Sequence, residues 1–172
     1  MRSVLAVLTL APTVLALAAT AYRLTPTCGP RVTIHIRGKE ERGFLADGHD
    51  EYVKRLRPTL QLTTVWHKTD SDMEAAVFRE QCPVICMDER GKQLDSTSFS
   101  EYLYKKLEIG GSRLAFVIGG AEGLPASMKA EKSYDKMSLS KMVLTHTWAW
   151  ALLSEQIYRA TEIRKGTKYH KA

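Results

Sequence analysis

The strongest constraint in this chain is a regular alternation of short apolar runs with segments of helical length. Runs with strand character fall at 31–38 (RVTIHIRG), 60–67 (LQLTTVWH), 83–88 (PVICMD), 113–120 (RLAFVIGG) and 134–140 (YDKMSLS). They are short and rich in β-branched or other apolar residues, and Gly, Pro, Asp or Ser bounds them, which is the pattern of strands. Segments of helical character occupy 39–58, 71–81, 96–111 and 124–133, and a long one closes the series at 147–166. Such alternation predicts an α/β domain with a mostly parallel sheet and helices on its faces. Ligands of these sheets sit beyond the carboxyl ends of the strands. Three loops leave strands at that edge, 87–91, 119–123 and 140–146, and together they locate a pocket.

Local signals refine the boundaries. Glycines 43 and 48 predict a frayed start for the first helix, which carries Phe44, Leu45, Tyr52, Val53 and Leu56 at helical spacing and stops at Pro58. Ser71 with Glu74, and Ser98 with Glu101, match the capping-box pattern. Gly110 stands where the third helix should end. After 83–88 the segment ERGKQLD is expected to turn away from the sheet. On the last helix Trp148, Leu152, Leu153 and Ile157 form an apolar side wide enough for core and a partner surface.

The 172 residues suffice for one domain with a real core. A formal charge of +6 suits a polyanionic partner without establishing one. The three cysteines make no disulfide framework; Cys82 and Cys86 lie in an apolar run without two further metal ligands, so no metal is expected. Residues 1–21 differ from the rest: Arg2, a long apolar stretch broken by Pro12, then small residues up to Ala21. That is the layout of a cleavable targeting segment, with a retained membrane anchor as the alternative. Its removal takes away one cation and leaves +5. Residues 22–30 then serve as a linker, and 31–172 as the folded domain.

The stretch FVIGGAEGL, 116–124, ends a strand in bare backbone. Glycines 119, 120 and 123 let main-chain groups face a ligand. A phosphate cradle does not fit, since neither G-x-x-x-x-G-K-[ST] nor G-x-G-x-x-G is present and Glu122 would repel an anion. A ligand with a cationic centre, or a neutral ring held by peptide groups, suits the acid better; an ordinary tight turn explains the glycines equally well.

Taken in order and register, FVIGGAEGL, SYDKMSLSKMVLTH, SEQIYRA and KGTKYHKA resemble the large-subunit ribosomal RNA methyltransferase H family of the SPOUT superfamily, and VTIHIRGK and VICMDERGK match its opening and central strands. The resemblance implies a SPOUT-type sheet with a C-terminal trefoil knot and S-adenosylmethionine as cofactor, held around Met87, Gly119, Leu139, Ser140, Lys141, Met142, Val143 and Leu144. It implies methylation of N3 of a pseudouridine in large-subunit rRNA. The acceptor nitrogen is itself the nucleophile once deprotonated, so no cysteine adduct is needed. The chain's part is then orientation and help with one proton. His146 and His170 are the candidate imidazoles; Glu155, Tyr158 and Arg159 share the last helix. His170 and Tyr169 in the tail, with Arg159, are the residues expected to position substrate, completing the site with a partner subunit in a homodimer. The rRNA or the ribosome is the expected partner, and cations at 159, 164, 165, 168 and 171 fit its phosphates. Two departures stand out: Thr145 where bacterial members carry proline, and Trp150 where they carry arginine. These leave RNA docking open and sustain a second reading, a ribosome-binding assembly factor that has lost catalysis. The junction AATAYRLTP resembles two-step plastid import, so an organelle is the expected location, the plastid first and the mitochondrion second, with no stable membrane association after targeting.

Overall fold

The computed structural model describes residues 29–171; the expected targeting segment, most of the linker and Ala172 lie outside them. Ten elements follow in the order β1 (Arg31–Arg37), α1 (Phe44–Leu56), β2 (Gln61–His67), α2 (Asp70–Arg79), β3 (Val84–Gln93), α3 (Ser96–Ile109), β4 (Arg113–Ile118), α4 (Ala126–Ala130), β5 (Asp135–Ser138) and α5 (His146–Arg164). The sheet has the order β2-β1-β4-β3-β5, and every pairing in it is parallel. The expected α/β class is thus observed. Among the described residues an antiparallel contact occurs only as an isolated bridge between Gly120 and Gly123.

Parallel sheets need cover on both faces, and the strands alternate accordingly. Val32, Ile34 and Ile36 of β1, with Phe116 of β4 and Ile85 of β3, pack under α1, α3 and α5 through Leu56, Leu103, Leu153 and Ile157. The other face of β3 and β4, Val84, Cys86, Ala115 and Val117, packs under α2 and α4 through Met73, Val77 and Met128. Cys86 behaves as a small hydrophobe there, and burial pushes its thiol up to about 12. Among the described residues no group of His, Cys, Asp and Glu could hold a metal ion, and no helix is long and apolar enough to cross a membrane.

Several boundaries differ from expectation. The caps of α2 and α3 are Thr69 and Asp95, accepting from the Asp72 and Ser98 amides at 3.1 and 2.7 Å, not Ser71 and Ser98. A cap pattern spaced by three fits two registers, and the extended backbone at Thr69 and Asp95 selects the earlier one. Helix α1 begins only at Phe44, after Gly43 with φ 93°, and Phe44 is 71% exposed instead of buried. Strand β3 does not turn away for good. Met87 and Lys92 both align with Met137, so residues 88–91 bulge out and the strand rejoins β5. Gly91 is required for that return, because a Cβ would lie within 3.0 Å of the Met137 and Lys136 backbone.

Candidate functional site

Beyond the carboxyl ends of β3, β4 and β5 lies a cavity of about 370 Å³. Its walls are the β3 bulge from Met87 to Arg90, the turn from Gly119 to Leu124, and the connection from Ser138 through Leu144 to His146. These are the three loops picked out by strand order. Of the eight expected cofactor residues seven line it: Met87, Gly119, Leu139, Ser140, Met142, Val143 and Leu144. Lys141 does not line it and is exposed.

Local chemistry shapes each wall. Asp88 Oδ1 accepts from the Arg90 amide at 2.9 Å, which curls the bulge. Ser138 Oγ donates to the Ser140 carbonyl at 2.7 Å, and Ser140 Oγ accepts from the Met142 amide at 3.0 Å, so two hydroxyls fold the connection on itself. Met142 and Val143 then stand 76% and 84% exposed at the rim. What comes close to Gly119 is the chain itself: a Cβ there would lie within 3.0 Å of the Gly123 and Leu124 backbone. Gly123, at φ 80°, makes the crossing geometrically accessible.

The lining carries the carboxylates of Asp88, Glu89 and Glu122 together with Arg90 and Lys129. His146, the first residue of α5, also faces the cavity, and its ring makes no hydrogen bond among the described residues. Sequence reasoning missed Lys129 and Ala149. Both lie on helices that begin directly after a cavity loop, so the first turn of each returns to the wall; that adjacency was the available signal.

The tail residues form a separate cluster, and neither His170, Tyr169 nor Arg159 lines the cavity. Glu155 is the hub: its Oε1 accepts from Arg159 Nε at 2.9 Å, from Arg159 Nη2 at 2.6 Å and from the Tyr169 hydroxyl at 3.1 Å. The Arg159 guanidinium lies 4.9 Å from the Tyr169 ring centroid, and Tyr158 meets that ring edge-on at 4.9 Å. Burial, then a hydrogen bond with Tyr52 and the Glu155 carboxylate, raise the Tyr169 phenol well above its ordinary value. His170 Nδ1 is buried without a hydrogen-bond partner among the described residues, an uncommon state for a polar atom.

The two departures have structural roles. Thr145 caps α5 by accepting from the Trp148 amide at 3.4 Å. Trp150 is 3% exposed and belongs to the core. It closes a buried circuit in which each direction is forced by the donors available. Trp150 Nε1–H donates to Thr64 Oγ1 (2.9 Å), Thr64 to His49 Nε2 (3.3 Å), His49 Nδ1–H to Ser154 Oγ (2.8 Å), and Ser154 to the Trp150 carbonyl (2.8 Å).

A family described as "Predicted SPOUT methyltransferase" matches residues 31–170. A ribosomal RNA large subunit methyltransferase H from Protochlamydia amoebophila (strain UWE25) is 43% identical over 134 residues, covering 78% of this chain and 94% of that one. One from Synechococcus sp. (strain CC9605) is 40% identical over 139 residues, covering 78% and 92%. In overall shape the chain is similar to a probable methylase family protein from Haemophilus influenzae Rd KW20, with a TM-score of 0.50 at 14% identity, covering 84% of this chain and 71% of that structure; this likeness concerns the fold alone.

Proposed function

Because the chain belongs to the SPOUT methyltransferase family and, within it, to the ribosomal RNA large subunit methyltransferase H family, we propose that it transfers a methyl group from S-adenosylmethionine to N3 of a pseudouridine in large-subunit rRNA. The observation that carries this reading is the single cavity shared by the glycine turn and the 138–144 connection. Its lining fits the cofactor's chemistry. Met87, Leu139 and Leu144 offer an apolar slot for a purine, peptide groups at Gly119 and Leu139 offer hydrogen bonds to it, and Asp88, Glu89 and Glu122 suit a cationic centre. When bound, S-adenosylmethionine supplies an electrophilic methyl group on a sulfonium.

The chain's own residues then have three tasks. Met142 and Val143 at the rim exclude water once substrate covers them. The acceptor N3 gives up a proton, and His146, which faces the cavity with no hydrogen-bond partner among the described residues, is the imidazole placed to take it. Tyr169 and Arg159, fixed by Glu155, position the acceptor base for a second copy's cavity. Phe44, Trp148 and Leu152 are exposed, and the Phe44 and Trp148 rings meet edge-on at 5.7 Å, which gives α1 and α5 an apolar surface suited to that homodimer. The trefoil knot belongs to the same reading and is supported by the closeness of the 138–144 connection to the glycine turn. So does organellar targeting, which rests on residues 1–21 alone. The non-catalytic reading drew on Trp150; that side chain lies in the core and not on the cavity wall, so it lends that reading no support.

Two measurements test the proposal. Calorimetry should give one S-adenosylmethionine site per chain. Mass mapping of rRNA nucleosides should lose one methylated pseudouridine when the gene is removed. No cofactor heat at high micromolar concentration, or an unchanged nucleoside profile, overturns it. Tyr169→Phe should lower methyl transfer at least tenfold through kcat while leaving cofactor affinity unchanged.

A further inference from the structure

The sheet carries a second hollow, of about 430 Å³, at the edge opposite the cavity. Its floor is Arg31 and Thr33 of β1 with Thr63 and Val65 of β2, and its walls are Arg79 and Glu80 at the end of α2 and Arg113 at the start of β4. The reverse side of the same two strands is apolar and buried, through Val32, Ile34 and Leu62. The polar floor is therefore not a general property of these strands; it belongs to this face. Helix α2 explains why the face stays open. Its ten residues span about 15 Å, less than the roughly 23 Å of a seven-residue strand, so it stops short of the amino edge.

The charges there are unevenly committed. Glu80 Oε1 accepts from His35 Nε2 at 3.2 Å, and Arg113 Nη2 donates to the Glu80 carbonyl and Oε2 at 2.6 and 3.2 Å. That occupies the hollow's one carboxylate and pins one guanidinium. Arg31 and Arg79 are exposed, and their guanidinium groups carry no hydrogen bond or ion pair among the described residues. Two free planar forks over a floor of threonine hydroxyls match phosphodiester oxygens, which accept from both. The hollow is open, and about 20 Å of strand separates it from the cavity. A ligand engaging both must be a polymer.

We propose that this hollow docks the sugar-phosphate backbone of the RNA substrate at a second point, remote from methyl transfer. The inference rests on the reading that the substrate is RNA. It gives a single-domain enzyme a hold on RNA that does not depend on the acceptor base.

The test is fluorescence anisotropy of the full chain with a labelled rRNA stem-loop of about 20 nucleotides, titrated with KCl. Each phosphate contact adds about 0.7 to 0.9 to the slope of log affinity against log salt. Removing two, in R31Q/R79Q, should lower the slope by nearly two and weaken binding about 25- to 60-fold at 0.1 M salt. The control K105Q/K132Q removes the same charge from exposed positions elsewhere and should change affinity less than threefold. Equal weakening in both pairs, an unchanged slope in R31Q/R79Q, absence of RNA binding by the wild type, or equally good competition by polyglutamate overturns the proposal. Calorimetry with S-adenosylmethionine separates it from the reading it rests on. If R31Q/R79Q loses RNA while the wild type gives no cofactor heat, docking stands and methyl transfer falls; if cofactor binds and RNA does not, docking alone falls.

Discussion

Replacing Gly119 by alanine isolates the crossing that builds the cavity wall. A Cβ at 119 would lie within 3.0 Å of the Gly123 carbonyl group and the Leu124 amide, whereas ordinary contact begins at 3.4 Å. These are backbone atoms, so no rotamer change relieves the clash; the turn itself must move by about 1 Å to reach ordinary contact. It is not free to do so, because Leu124 is 5% exposed and packs with Met128 in the core under α2 and α4. Overpacking of this kind costs about 1–3 kcal/mol. At roughly 2–4 °C per kcal/mol for a chain of this size, the melting temperature should fall by about 2–12 °C.

Two other glycines calibrate the scale. A Cβ at Gly123 meets only the Lys129 amine, at 3.5 Å, so Gly123→Ala suffers chiefly from its φ of 80°, about 1 kcal/mol. A Cβ at Gly48, inside α1, meets nothing within 4 Å, and Gly48→Ala should gain about 0.5–1 kcal/mol. Thermal unfolding followed by circular dichroism should rank Gly48→Ala above wild type, then Gly123→Ala, then Gly119→Ala, with cofactor affinity reduced in the last. A Gly119→Ala protein melting within a degree of wild type, or above Gly123→Ala, would refute the crossing as the reason for the glycine.

Burial holds the His49 imidazole down to about 4, below its ordinary 6.5, so the folded chain keeps it neutral where the unfolded chain takes up a proton. Stability from this group is present above pH 6.5 and is lost as pH falls toward 4, by up to about 3 kcal/mol at roughly 1.4 kcal/mol per tenfold change in proton affinity. Urea midpoints measured from pH 7 to 4.5 should fall more steeply for wild type than for His49→Gln. Trp150→Phe keeps most of the packing but opens the circuit at Thr64, and should cost about 1–2 kcal/mol in urea unfolding without changing cofactor affinity. Lys141→Ala, whose side chain lies off the wall, should leave S-adenosylmethionine affinity in calorimetry within about twofold.

Strand positions were legible because buried parallel strands are short apolar runs; RLAFVI shows this, with five consecutive buried residues. The three cavity loops followed from parallelism alone. The strand order was not legible, since β1 pairs with β4 across about eighty residues and periodicity carries no information on such pairings. The bulge at 88–91 was invisible for the same reason: only its alignment with Met137 distinguishes an excursion from a turn. Arg159 and Glu155 could be paired from i,i+4 spacing, but Tyr169 as their third member could not. Trp150 looked like a surface departure because its partners come from positions 49, 64 and 154, which meet only in the folded chain.

Every strand of this sheet starts at one edge and finishes at the other. Whatever precedes residue 30 therefore joins the domain on the side away from the cavity, beside Arg31. The opposite terminus ends against the Glu155 hub. An affinity handle or reporter attached in front of the domain leaves the cavity clear but sits beside Arg31 of the proposed docking hollow, while the same handle appended behind His170 burdens the cluster that fixes Tyr169.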